Sequence, residues 1–305
     1  MDVFAVKNLY KNYATNRGVS NISFSIQENE IFGMIGPNGA GKTTTLECAL
    51  GLRKKDSGSI SILGYDPSVE RDKIYALVGV QLQETSYPGS ARVNELCTLM
   101  SSLYESPLSY KALLDEFELD NKGSEYIADL SGGQRQRLAI ILALIPDPKI
   151  VVFDELTTGL DPHARRSMWS HIRRLKERGI TVILTTHFMD EAQELCDRVA
   201  IMLNGSIQNI DTVENIISAC SLESTLEIQA DPKSLLLIRG FLGNSEISII
   251  ENQLSIPYKK TESLLEIIRL IDSRHIKIKT LSVRSPTLED AYLKLTGGAK
   301  VLRAT

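Results

Sequence analysis

Short apolar runs recur along this chain, and three of them end abruptly in residues with chemical capability. Ile31-Phe32-Gly33-Met34-Ile35 runs into Gly36-Pro37-Asn38-Gly39-Ala40-Gly41-Lys42-Thr43, Ile150-Val151-Val152-Phe153 into Asp154-Glu155, and Thr181-Val182-Ile183-Leu184-Thr185-Thr186 into His187. Runs of this kind fit strands of a parallel sheet covered on both faces, which carries its ligand chemistry at the C-terminal strand ends. Segments near 3–8, 20–26 and 58–63 alternate with period two instead, and Gly58 and Gly64 punctuate the last. Their half-buried pattern predicts an antiparallel subdomain.

Helical periodicity fills much of the remainder. Thr44 to Leu50 reads as a helix directly after the first glycine-rich loop. Val93 to Tyr104 and Leu108 to Leu119 are amphipathic, as a helical pair burying its own stripe would be. Ser131 to Ile145 has a well-specified start, with Ser131 as N-cap, Gln134 three residues on, and Leu138, Ile141, Leu142 and Ile145 along one face. Pro162 to Arg178 follows Asp161 as N-cap and stops at Gly179; its basic last turns suit the helix dipole. Asn204-Gly205 marks a tight hairpin between Val199–Leu203 and Ser206–Ile210. Beyond it the pattern reads as a strand (225–229), a helix (232–242), two strands (247–251 and 254–258), a helix (261–272), a strand (276–283) and a last helix (286–296). That βαββαβ order is the order of a ferredoxin-like fold.

The first glycine-rich segment has the strand-loop-helix setting of a phosphate-binding P-loop. Its glycines let backbone N–H groups converge on one small volume beside a helix N-terminus carrying roughly +0.5 charge. Lys42 would reach the β- and γ-phosphates, and the Thr43 hydroxyl would ligate a bridging Mg²⁺. Asp154 is the expected holder of that ion, either directly or through one of its bound ligands. Glu155, one residue further, is the candidate general base towards a water in line with the γ-phosphate. His187, at the tip of a neighbouring strand, is placed to bond the γ-phosphate. Gly132 and Gly133 open a helix where glycine costs about 1 kcal/mol against alanine, which makes sense if phosphate approaches their bare N–H groups closely. The chain thus carries two phosphate-facing loops but one P-loop lysine, so the second loop would complete the site of another copy.

These residues, in this order, resemble the nucleotide-binding subunit of an ATP-binding cassette (ABC) transporter over roughly residues 3 to 215. The resemblance implies an α/β fold with a RecA-like P-loop NTPase core, an antiparallel β subdomain and a helical subdomain, followed by a small α+β domain. It divides the chain into an ATP-binding domain (1–217, helical subdomain about 86–140) and an accessory or dimerisation domain (222–305). It implies that Tyr13, with Tyr10 close by, stacks on adenine, and that residues 36–43 with Thr44 hold ATP. Gln83 would sit on the loop that senses Mg²⁺ and the permease, with Thr43 and Asp154 completing the metal site. Ser131, Gly132, Gly133 and Gln134 would form the signature, Asp161 would lie in the loop linking the two active sites, and His187 would be the switch histidine. Two subunits would bind ATP head to tail, each P-loop facing its partner's signature, and the helical insert would receive a permease's cytoplasmic helix.

Val78-Gly79-Val80-Gln81-Leu82-Gln83, Thr186-His187-Phe188-Met189-Asp190-Glu191-Ala192 and Pro286-Thr287-Leu288-Glu289-Asp290 are similar to exporter ATPases of the drug-resistance and antibiotic-immunity type. That likeness implies a separate permease of the ABC-2 type and export of a drug, antibiotic or lipid-like compound. The C-terminal domain would support the dimer, regulate it, or pack inertly. One departure stands out: Leu156 occupies the place where the family usually has proline, so the turn into Thr157-Thr158-Gly159-Leu160-Asp161 lacks a fixed φ.

Composition narrows the function classes. At 305 residues, 43% of them hydrophobic and 24% charged, the chain fits two ordinary globular domains, each able to bury a core. Its longest clean apolar stretch, Leu138 to Ile145, falls far short of the ~20 residues that span a bilayer, so transport requires another polypeptide. A net charge of −4 without a long basic run argues against nucleic-acid partners. Met1-Asp2-Val3-Phe4 has no basic region ahead of an apolar core, and cysteines 48, 97, 196 and 220 have no C-x-x-C spacing. The expected location is therefore cytoplasmic, at the inner face of the membrane through a permease. The alternative reading is a soluble ABC ATPase acting on DNA, ribosomes or cluster assembly; the long coiled-coil insert and the tandem cassette of such proteins are not seen. A P-loop kinase would have no counterpart of Ser131–Gln134.

Overall fold

The computed structural model describes residues 1–13, 18–83, 87–242, 248–258 and 261–297, and the chain packs as two units, Met1–Val213 and Glu214–Thr305. The first unit carries β1 (Asp2–Asn12), β2 (Gly18–Gln27), β3 (Ile31–Ile35), α1 (Lys42–Ala49), β4 (Ser57–Ile62), α2 (Arg71–Tyr75), β5 (Val78–Gln81) and α3 (Val93–Ser101). It continues with α4 (Tyr110–Glu116), α5 (Gly132–Leu144), β6 (Ile150–Asp154), α6 (Pro162–Glu177), β7 (Thr181–Thr186), α7 (Met189–Leu195), β8 (Arg198–Leu203) and β9 (Ser206–Thr212). Ser86, the expected start of the helical insert, lies outside the described residues.

The apolar runs become neighbours. The central sheet has the order β5-β6-β7-β3-β8-β9, parallel throughout except for the β8–β9 hairpin at Asn204-Gly205. Every residue of β3, β6 and β7 is buried, which is why these strands read as unbroken apolar runs rather than alternations. In the smaller antiparallel sheet, β2-β1-β4, Phe4, Val6 and Leu9 of β1 point inward. Phe4 stacks on Phe24 with ring centroids 6.1 Å apart, and Phe24 on Phe32 of β3 at 5.4 Å, so one core joins the two sheets.

Helix α5 is tied to the sheet closely. Its residues Leu138 to Leu144 are all buried, and its backbone lies over β5 at Gly79, where an added Cβ would stand 1.9 Å from the Ala143 carbonyl oxygen. At its start the Ser131 Oγ accepts from the Gln134 N–H (3.3 Å) while Gln134 Oε1 accepts from the Ser131 N–H (2.8 Å), the capping box that the spacing predicts. Helix α6 starts with Asp161 Oδ1 accepting from the His163 and Ala164 N–H groups, and Gly179 at φ 85° follows its end. The four cysteines are free and buried. Among the described residues, no helix is long and apolar enough to cross a membrane.

The remaining elements are α8 (Val213–Ala219), β10 (Ser224–Gln229), α9 (Pro232–Leu242), β11 (Ser248–Ile250), β12 (Gln253–Tyr258), α10 (Thr261–Ser273), β13 (Thr280–Arg284) and α11 (Leu288–Leu295). Their antiparallel sheet has the order β11-β12-β10-β13, which is the ferredoxin-like arrangement. Leu226, Ile228, Leu235, Ile238, Leu254 and Ile256 form its core. The last strand starts at Thr280 rather than Ile276: Ile276 and Ile278 pack against the core from the connection before it, so their alternation marks burial without pairing. Ile247, the first residue expected of the second strand, lies outside the described residues.

Because α5 presses on β5 at a position with no room for a methyl group, Gly79→Ala is expected to lower unfolding stability by about 1–3 kcal/mol, the usual cost of overpacking. Urea denaturation of the variant, with an unchanged midpoint counting against this packing, checks it.

Candidate active site

Parallel register brings the chemical residues to one edge. Asp154 lies opposite Thr185, and Ile35 opposite Thr186, so the ends of β6, β7 and β3 open side by side, with β5 next to β6 on the far side. From these four ends emerge Glu155, His187, the P-loop and Gln83 in turn.

The P-loop wraps around its own lysine. Gly39 (φ 81°) and Gly41 (φ 102°) adopt left-handed backbone, and a Cβ on Gly41 would stand 2.6 Å from Val19 Cγ1. Lys42 opens α1, is 4% exposed, and donates from Nζ to the carbonyl oxygens of Gly36 (2.8 Å) and Pro37 (3.3 Å). Glu155 Oε1 stands 3.4 Å from the same ammonium. Burial pushes the Lys42 pKa down, and the neighbouring Glu155 carboxylate pushes it back up.

Glu155 is the point of convergence. Its Oε1 also lies 3.6 Å from His187 Nδ1, and its Oε2 accepts from Gln83 Nε2 at 3.2 Å. The residue is buried and sits at φ 52°, a left-handed conformation unusual for a non-glycine. Its N–H donates to the Thr185 carbonyl oxygen (3.2 Å) and Oγ1 (3.1 Å), which hold the turn against β7. Asp154 is fully buried; the Thr185 hydroxyl donates to its Oδ1, while Oδ2 has no hydrogen-bond partner among the described residues. Burial raises the Asp154 pKa, opposed by the hydrogen bond from the Thr185 hydroxyl.

A cavity of about 670 Å³ is lined by Tyr13, Asn38, Gly39, Ala40, Gly41, Lys42, Thr43, Thr44, Gln83 and Glu155, together with Gly18 and Arg53. It joins Tyr13, the phosphate loop, Gln83 and Glu155 into one volume; His187 is not among its lining residues and reaches the site through its 3.6 Å approach to Glu155. A second cavity, about 740 Å³, shares Gln83 and Glu155 with the first and reaches Gly132, Gln136 and Thr158. Ser131, Gly133, Gln134 and Asp161 line neither cavity. At Gly132 an added Cβ meets nothing within 4 Å, and at Gly133 only ordinary contacts with Leu160 and Ala164.

Two residues escape a reading of the sequence. Arg53 lies over the Tyr13 ring at 5.6 Å, opposed in sequence by nothing that marks it, and is held there by Glu47 at 2.6 Å. Thr185 supports both Asp154 and Glu155 through one hydroxyl; a threonine pair, Thr185-Thr186, at the chemical end of a buried strand is the signal that could have found it.

The ABC transporter family model matches residues 19–158. The linearmycin resistance ATP-binding protein LnrL of Bacillus subtilis is 30% identical over 302 residues, covering 95% of this chain and 97% of its own length. The Nod factor export ATP-binding protein I of Rhizobium etli is 34% identical over 306 residues, covering 97% and 94%. A solved ATP binding subunit of an ABC transporter superposes with a TM-score of 0.65 at 27% identity, over 72% of this chain and 93% of its own. With relatives matched along nearly their entire length and a phosphate loop, carboxylate pair and histidine gathered at one sheet edge, this chain belongs to the ATP-binding subunits of ABC transporters and is an ATPase of that family.

Proposed function

We propose that two copies of this chain close head to tail on ATP, each P-loop supplying Lys42, Thr43 and Thr44 and each partner supplying Ser131 to Gln134, to drive a permease of the ABC-2 type that exports a drug, antibiotic or lipid-like compound. The observation that carries this reading is the pair Gly132-Gly133. Neither glycine has a left-handed backbone and neither lacks room for a side chain, so nothing among the described residues requires them. A helix start that forgoes about 1 kcal/mol of stability per glycine is accounted for when an anion from outside sits on its bare N–H groups. The family membership implies a membrane partner and dimerisation; the ABC-2 type and the exported class rest on the likeness to the resistance and export proteins. Work at the cytoplasmic face of the membrane follows from such a partner, and the ferredoxin-like unit supports or regulates the dimer.

Within each site Glu155 acts as general base on a water, His187 bonds the γ-phosphate, and Tyr13 stacks on adenine with Arg53 over its ring. Asp161 serves the loop between the two sites and also caps α6. The donor set suits Mg²⁺: a buried carboxylate oxygen, Asp154 Oδ2, is left without a partner beside the Thr43 hydroxyl, and Gln83 borders the same cavity. When bound there it would neutralise charge on the β- and γ-phosphates.

Glu155→Gln is expected to bind ATP and accumulate as a closed dimer while turnover falls on the order of a hundredfold or more, the usual worth of a general base. ATPase assays paired with gel filtration in ATP check this, and turnover at the original rate removes Glu155 as the base. Lys42→Ala should weaken ATP binding itself by about tenfold or more, through loss of a charge-assisted contact. Titration with a fluorescent ATP analogue measures it; unaltered affinity refutes the role given to the first loop.

A further inference from the structure

The turn after Glu155 has two features that the fold must offset. Glu155 holds a left-handed backbone, and Leu156 provides none of the φ restriction that proline would. Two residues on, the buried Thr157 donates from Oγ1 to Glu191 Oε1 at 2.7 Å. The same oxygen accepts from Trp169 Nε1 at 3.0 Å. Glu191 is itself buried, 3% exposed, and lies in the first turn of α7, the helix that begins just after His187. Trp169 lies on α6, whose N-cap is Asp161. One acceptor therefore ties the turn of the proposed base, the helix behind the histidine and the helix behind Asp161.

We propose that Glu191 is a positioning residue for ATP hydrolysis: by accepting from Thr157 and Trp169 together it fixes the turn that aims Glu155 and moves it as one body with the His187 loop. The inference rests on the reading of Glu155 as base. Burying a carboxylate on two neutral donors is costly unless its geometry serves something. The contact to Thr157 does serve: the turn is tied to β7 by the Glu155 N–H and to α5 by Gln136 Nε2 on the Thr158 carbonyl oxygen (3.2 Å), and the Thr157 hydroxyl on Glu191 is the tie that couples it to the helix behind His187, so losing it loosens the placement of Glu155 Oε1 and Oε2 against Lys42, His187 and Gln83. A misplacement of order an ångström at a reacting group lowers turnover without changing how substrate is held.

The full chain offers a direct test, because Trp169 is its only tryptophan. Thr157→Val keeps shape and removes the hydroxyl; it should lower kcat by roughly ten- to a hundredfold with KM for ATP changed by less than about twofold. Thr157→Ser, which returns the hydroxyl, should restore most of that rate. Glu191→Ala should lower kcat in the same way and shift Trp169 emission as the indole N–H loses its acceptor, and Glu191→Gln, which keeps an oxygen there, should restore most of both. Full kcat in Thr157→Val and Glu191→Ala, a loss carried by KM, or a loss that serine and glutamine leave in place overturns the proposal. A Glu155→Gln variant separates the two levels: if it is inactive while Thr157→Val and Glu191→Ala run at full rate, positioning by Glu191 fails alone, whereas full activity in Glu155→Gln fells the base as well.

Discussion

A buried ammonium needs negative partners, and the arrangement at Lys42 follows from that requirement. Taking a lysine charge out of water is expensive unless oxygens replace the water. Here two loop carbonyls and the Glu155 carboxylate do so, and burial and Glu155 pull the Lys42 pKa in opposite directions. These partners are modest ones: the contact to Glu155 is 3.4 Å, longer than a tight ion pair. A phosphate oxygen entering the cradle would give the ammonium a better partner and release the Glu155 carboxylate towards solvent or a bound water. Loop shape, lysine burial and the position of the carboxylate are thus one problem with one solution.

That solution depends on the sheet. Gln83, Glu155 and His187 come from the ends of β5, β6 and β7, and they reach one another only because these strands lie adjacent and in parallel register beside β3. Slipping one strand by a residue would exchange its faces and carry its terminal side chain away from the cavity. Because β3, β6 and β7 are buried on both faces, such a slip is resisted by the shape of the packed side chains rather than by a change from core to solvent. The close seat of α5 on Gly79 extends the same precision to Gly132, since one helix joins the strand before Gln83 to the glycine pair at its own start.

Much of this was legible in the sequence for an identifiable physical reason. The P-loop, Asp154-Glu155 and His187 each follow an apolar run, so strand ends could be located without knowing which strands pair. Ser131 and Gln134 announced a capping box by spacing alone, and Asn204-Gly205 announced its hairpin. Contacts between segments distant in sequence were not legible. Arg53 over Tyr13, Thr185 beneath Asp154 and Glu155, and Glu191 bonded to Thr157 and Trp169 depend on tertiary approach and leave no local pattern. Ile276 and Ile278 misled in the opposite way, because alternation reports which side chains are buried and says nothing of whether the backbone is paired.

Leu156 gives the clearest case of a local departure met by tertiary structure. A left-handed Glu155 costs on the order of 1–3 kcal/mol, and without proline behind it the unfolded chain also retains more freedom at the next residue. The bonds from the turn to the rest of the unit lie on different neighbours: the Glu155 N–H on β7, the Thr157 hydroxyl on α7, and the Thr158 carbonyl oxygen on Gln136 of α5 at 3.2 Å. At about 1 kcal/mol net apiece, such bonds are of the right size to offset the strain but not to exceed it by much. The turn is therefore held by its surroundings rather than by its own sequence. A turn of that kind follows movements of α7 and β7, whereas a proline-stiffened one would resist them, and this makes the geometry of Glu155 responsive to whatever displaces the His187 loop.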